Sequence, residues 1–144
     1  MRHRKAATKL GRTSSHRQAM TANQLKSLII HGRIETTLAK AKVLRSHADQ
    51  MVTIAKEQTL ASRRRAIAAL RIRYNTLDRK EIRAAAQGDK SAYNDDRLVM
   101  EKLFGELAAR FALRNGGYTR LVRLGQRVGD GTMRCSIEYI TEAE

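Results

Sequence analysis

The sequence predicts an α/β chain of the α+β type, with four to five helices packed on a small mixed sheet and a basic N-terminal arm in front. Three observations carry this. Apolar residues recur every three or four positions through most of the chain, a short β-prone stretch (RIETT, 33–37) interrupts them, and from Tyr118 onward the period drops to two. A length of 144 residues suits one domain. Residues 1–13 are therefore read as the arm and 14–144 as a single globular domain, with a peripheral helical or loop excursion at about 75–94.

The opening MRHRKAATKLGRT carries Arg2, Arg4, Lys5, Lys9 and Arg12, and no acid occurs before Glu35. After Met1 its one sizeable apolar residue is Leu10, too little to fold alone when ordering a residue's backbone costs about 1–2 kcal/mol. Such an arm is expected to order on a polyanion whose phosphates supply the missing contacts, and Ala6, Ala7 and Gly11 would let its backbone approach closely.

In SSHRQ, Ser15 and Gln18 have capping-box spacing, which predicts a first helix carrying Ala22, Leu25 and Ile29 and stopping at Gly32. After RIETT, Thr37 is placed to cap a second helix with Ala41, Leu44, Ala48, Met51, Val52 and Ala55 on one face and Lys40, Lys42, Arg45 and Lys56 on the other. Residues 60–74 read as a third helix, with Leu60, Ile67, Leu70 and Tyr74 inward and Arg63, Arg64, Arg65, Arg71 and Arg73 outward. DRKEIRAAAQ can form a short helix ending near Gly88. Asp95 or Asp96 can then cap a helix running to about Arg114, with Val99, Leu103, Phe104, Leu107 and Phe111 as its stripe. YTRLVRL and MRCSIEYI, joined by GQRVGDGT, predict a C-terminal hairpin to which the RIETT strand adds.

Lys and Arg outnumber Asp and Glu by 29 to 14, leaving a formal charge of +15 and a pI near 10.9. A polyanionic partner is implied, and nucleic acid fits better than a membrane surface because the helices lack the bulky aromatic face of an interfacial anchor. No secretory h-region opens the chain, and its single Cys135 cannot form an internal disulfide, so a reducing cytoplasm is expected.

Enzyme chemistry finds no support. His3, His16, His31 and His47 never fall at metal-ligand spacing, the carboxylates are scattered or placed to cap helices, and GQRVGDG matches neither glycine-rich phosphate motif. No cofactor, metal or small-molecule substrate is expected, and a DNA-compacting protein or an RNA-modifying enzyme remain the rival classes. The hairpin arginines Arg120, Arg123, Arg127 and Arg134 can track a phosphate backbone, although edge strands also carry charge to block sheet-to-sheet pairing.

Taken in order, MRHRK, SSHRQAM, TTLAKAK, LFGELAARFALRNGGYTRLVRLGQRVGDG and the closing IEYI resemble the bacterial large-subunit ribosomal protein L17 family across nearly the whole chain. Two departures are Ala39, where the family usually has proline, and a longer segment from about Tyr74 to Asn94. The resemblance implies a structural, non-catalytic protein of the large ribosomal subunit. It would bind and stabilise 23S ribosomal RNA near the outer face of the peptide exit tunnel, touch neighbouring ribosomal proteins, and not be an obligate homo-oligomer. Carried over by position, Arg2, His3, Arg4, Lys5, Lys9, Arg12, Ser14, Ser15, His16 and Arg17 would contact RNA, with Arg110, Arg114, Tyr118 and Arg120 as a second set. Arg123 and Arg127 join them from the hairpin reading.

Overall fold

A computed structural model describes residues 8–141. Its first helix, α1 (Ser14–His31), ends where Gly32 adopts the left-handed conformation (φ 73°) and donates its N–H to the Leu28 carbonyl at 2.8 Å. Gly32 turns the chain into β1 (Arg33–Thr37), and Thr37 is the N-cap residue of α2 (Leu38–Lys56), although its hydroxyl makes no capping bond.

Helix α2 organises the core. Ala41, Leu44, Ala48, Val52 and Ala55 are wholly buried and Met51 nearly so, so the stripe expected from the 3–4 spacing is the buried face. Three of these six residues are alanines, which let neighbours approach its axis closely. Helices α1 and α3 (Leu60–Leu70) pack against it, as do the sheet and the late helix.

Two of the four residues expected inward on α3 are not. Leu60 and Tyr74 are exposed, while Ser62, Ala66 and Leu70 form the buried line and Ile67 is half-buried. The helix starts one residue later than Thr59, whose hydroxyl accepts from the Ser62 N–H (3.0 Å) while Ser62 accepts from the Thr59 N–H (3.1 Å). This reciprocal cap satisfies the buried Ser62. The helix ends at Leu70 rather than Tyr74 because Arg71 turns left-handed (φ 53°).

From Ile72 to Asn94 the chain makes its excursion, which includes α4 (Arg79–Ala86), a helix with no buried residue. Polar contacts hold the excursion in place. The Arg97 guanidinium donates to the Asn75 side chain (2.9 Å) and carbonyl (2.7 Å) and lies between the Tyr74 and Tyr93 rings, 5.1 and 5.5 Å from their centroids. Asn94 reaches back to the Arg73 carbonyl at 2.7 Å.

The last helical stretch begins with α5 (Asp95–Lys102). Its cap is Asn94, which accepts from the Arg97 N–H at 3.1 Å, rather than Asp95 or Asp96. Asp96 is engaged elsewhere, accepting from the Arg73 N–H at 2.5 Å and pairing with Lys26 at 2.6 Å. A π-helical turn, Leu103–Leu107, then widens the helix before α6 (Ala108–Arg110). The extra residue in the turn leaves Leu103, Phe104, Leu107 and Phe111 all buried, and the Gln58 amide donates to the Phe104 carbonyl at 2.7 Å. Regular helix stops at Arg110, short of the expected Arg114.

The hairpin forms as β2 (Thr119–Gln126) and β3 (Met133–Tyr139), and β1 adds to β3, giving the order β1-β3-β2. Every pairing is antiparallel, where a mixed sheet was expected. Ile34 pairs with Ile137 and Leu121 with Ile137 from the other side, setting an apolar face against α2. A bulge between Arg123 and Gly125 shifts the register of β2. Ser136 lies on the outer face as alternation requires, yet it is buried beneath Arg33, whose Nε donates to its hydroxyl at 2.9 Å.

Two outcomes are expected. Leu44→Ala should lower stability by about 2–5 kcal/mol in urea denaturation, since Leu44 is wholly buried among fixed neighbours. Arg97→Ala should speed hydrogen exchange at residues 72–93 by about tenfold to a hundredfold, the equivalent of losing one charge-assisted hydrogen bond, and leave α2 protected.

Candidate nucleic-acid interface

Positive charge is unevenly neutralised. Seven acids, Asp78, Glu81, Asp89, Asp95, Asp96, Glu101 and Glu106, lie between the excursion and the late helix, whereas α1 and β1 together hold one, Glu35. The helix starts follow the same division. Acids occupy the first turns of α4 and α5, while α1 and α2 have neither an acid in the first turn nor a side-chain capping bond. The positive dipole ends of α1 and α2 are thus left open to an anion.

The capping expected of Ser15 does not occur. The helix begins two residues earlier, with Thr13 extended as N-cap and its carbonyl accepting from the Arg17 N–H at 3.0 Å. Ser14, Ser15 and His16 stand exposed on the first turn, and Gln18 instead accepts from the Arg71 guanidinium at 2.9 Å, tying α1 to the end of α3.

Arg2, His3, Arg4 and Lys5 lie outside the described residues. Lys9 is exposed. Arg12 folds back to the Leu10 carbonyl at 3.0 Å, with its Nε buried and unpartnered, and Arg17 donates to the Arg12 carbonyl at 3.2 Å. These two arginines shape the root of the arm.

The second set divides. Arg110 is paired with Glu106 one helical turn back, and Arg114 is exposed, its carbonyl accepting from Lys56 at 2.7 Å. Tyr118 is a core residue, 2 % exposed and packed on Phe111 at 5.1 Å between ring centroids, so its side chain does not reach the surface. It is buried because the strand start at Thr119 folds the Asn-Gly-Gly turn over Phe111. Arg120 donates through Nε and Nη2 to Glu138 at 3.0 and 2.9 Å, and Arg33 approaches the other oxygen of that carboxylate at 3.7 Å. Arg127 is clamped by Asp130 across the hairpin connection. Arg123 and Arg134 are exposed and make no ion pair among the described residues.

Sequence reading missed a groove of about 1150 Å³ between α1, α2 and α3. Arg17, Lys42, His47, Arg65 and Arg71 line it, its floor includes Leu25, Met51 and Ile54, and no lining residue is acidic. Its α2 wall is the stripe Lys42, Ser46, Gln50 and Ile54 at four-residue spacing, which the sequence contains; the opposite wall depends on how α3 packs. Among the described residues no cluster of His, Cys, Asp or Glu could hold a metal ion, and no helix is long and apolar enough to cross a membrane. Burial pushes the Cys135 thiol up, away from the reactive thiolate.

A helical layer on an antiparallel sheet, with a cationic groove and, among the described residues, no cluster of His, Cys, Asp or Glu fit for a metal, has the build of a small structural protein. Comparison with known proteins narrows this. The ribosomal protein L17 family matches residues 20–140. The large ribosomal subunit protein bL17 of Protochlamydia amoebophila is 59% identical over 142 residues, covering 99% of this chain and 100% of that protein. Its counterpart from Chlamydia muridarum is 57% identical over 142 residues, again covering 99% and 100%, and that from Chlamydia pneumoniae is 56% identical over 140 residues, covering 97% and 99%. The chain belongs to the ribosomal protein L17 family, a family of structural proteins and not of enzymes.

The hairpin gives a pH prediction. The Arg127 guanidinium, and then the Thr132 N–H, hold the Asp130 carboxyl well below the usual carboxylate range. The folded chain thus takes up that proton less readily than the unfolded chain. The clamp's contribution is complete above the ordinary carboxylate value and is lost as the pH falls through the folded one. An NMR titration should show Asp130 ionised throughout the range where exposed aspartates titrate, and Arg127→Ala should move it up toward ordinary behaviour, with the Thr132 N–H still holding it below.

Proposed function

We propose that this chain is a structural constituent of the large ribosomal subunit, working in the bacterial cytoplasm as part of the ribosome. It binds and stabilises 23S ribosomal RNA near the outer face of the peptide exit tunnel and touches neighbouring ribosomal proteins there. The observation that carries the reading is near full-length similarity to proteins named for the large subunit, in a chain of formal charge +15 whose α1 and α2 start without an acid or a side-chain capping bond.

The physical role is charge neutralisation. Folded ribosomal RNA brings phosphates together against their own repulsion, and a cationic protein surface releases the counterions that would otherwise screen them. Contacts to phosphate position the protein without reading sequence. Lys9, Arg12, Ser14, Ser15, His16 and Arg17 at the arm root, with Arg2, His3, Arg4 and Lys5 before them, form the principal contact set. Arg123 supplies a lesser one. Arg110, Arg120 and Arg127 contribute less because Glu106, Glu138 and Asp130 already neutralise them.

A chain shortened to begin at Ser14 keeps every helix and strand described above. It should fold, and bind a 23S ribosomal RNA transcript at least tenfold more weakly at matched salt; equal binding would remove the arm's role. In the full chain, Arg123→Ala should weaken binding more than Arg127→Ala in the same assay. Stoichiometric recovery of the native protein in the large-subunit peak of a salt-washed sucrose gradient, lost on RNA digestion, tests the assignment itself, and recovery with DNA would overturn it.

A further inference from the structure

We propose that the groove between α1, α2 and α3 holds an unpaired stretch of RNA, with phosphates on its cationic rim and a base or ribose against its apolar floor; this rests on the RNA-binding reading above. The groove has two chemistries. Lys42 and Arg71 supply charge at its edges, together with Arg65, which also lies 3.7 Å from the Glu57 carboxylate, and Leu25, Met51 and Ile54 supply an apolar floor, with Ser46, His47 and Gln50 able to hydrogen-bond between them. Exposed Ala68 and Ala69 keep the α3 wall low.

A regular RNA duplex does not fit both parts. Its bases are stacked inside, so it presents phosphates, riboses and groove edges to a protein and offers an apolar floor no aromatic face. An unpaired nucleotide offers both a charged backbone and an unstacked base, and loops and bulges are where proteins reach bases in RNA.

Charge suits RNA and an acidic protein segment alike, and membership of a ribosomal protein family favours RNA. No carboxylate lines the groove to oppose a polyanion. Thr8 lines its edge, next to the exposed Lys9, and Arg17 at the start of α1 lines it as well. The arm root and the groove thus form one cationic track. Arg71 is held in place at the rim, because one of its five donors is used on Gln18 across the α1–α3 junction and the others stay available.

The test uses the full chain and a 23S ribosomal RNA transcript. A photoreactive benzophenone amino acid replaces Gln50, and a separate variant combines Lys42→Glu with Arg65→Glu, both at exposed positions. The expected results are crosslinks from position 50 to unpaired nucleotides and at least tenfold weaker binding by the double variant at about 0.15 M salt. The salt dependence of log K should also become shallower by about 1.4, the value for two lost contacts to single-stranded RNA. Unchanged affinity and slope in the double variant would overturn the proposal, as would crosslinks only to base-paired nucleotides, or to another protein in intact subunits. If the chain begun at Ser14 still lost affinity, the RNA-binding reading would survive that failure. Failure of the unaltered chain to bind the transcript would remove both.

Discussion

The whole arrangement depends on the burial of one face of α2. Ala41, Leu44, Ala48, Val52 and Ala55 are removed from solvent completely, and every other layer of the protein uses that face or its margins. The sheet covers it with Ile137 and Tyr139, and α1, α3 and the late helix close the remaining sides. With the methyl groups of alanine at three positions, neighbouring elements come close enough to exclude water without large aromatic side chains. That is how a chain with only two Phe and four Tyr builds a dry core. Three of the six aromatics meet where Phe111 packs on Tyr118 and Tyr139.

Because the core lies around α2, the charged groups are pushed outward, and the acids are not spread evenly among them. Those of the excursion and late helix are consumed locally: Asp96 by Lys26 and the Arg73 N–H, Glu101 by Lys90, and Glu106 by Arg110. On the sheet, Glu138 is shared by Arg33 and Arg120. Each exposed pair is worth little stability, about 0–1 kcal/mol, so their larger effect is on the field, cancelling charge on those faces and at Lys26 of α1, while Lys40, Lys42 and Arg45 of α2 make no ion pair among the described residues.

Much of this was legible from residue order. The α2 stripe, the Gly32 stop, the RIETT strand and the hairpin follow from local periodicity and turn chemistry, and the structure places them as expected. Local pattern failed where two neighbouring residues compete for one role. Ser15 and Gln18 have capping-box spacing, but Thr13 starts the helix and Gln18 is drawn to Arg71. Leu60 and Tyr74 are apolar enough for a core, yet α3 rotates to bury Ser62, Ala66 and Leu70. The π-helical turn at Leu103–Leu107 is not legible in the sequence, whose apolar spacing there suits a regular α-helix equally well.

The candidate interface divides along the same line. Sequence alone determined the net charge, the run of basic residues before the first acid at Glu35 and the arginines of the hairpin, because each can be read from residue order without packing. Only the tertiary structure decided which cations keep their charge and which lose it. Glu138 meets Arg120 and Arg33 through strand pairing, and the aromatic packing of Phe111 takes Tyr118 out of reach of any partner. The α1–α2–α3 groove belongs to the tertiary level too, since its walls come from residues as far apart as Thr8 and Arg71 and exist only once three helices have packed. Local propensity acts over a few residues, whereas neutralisation and concavity depend on distances in space that packing alone sets.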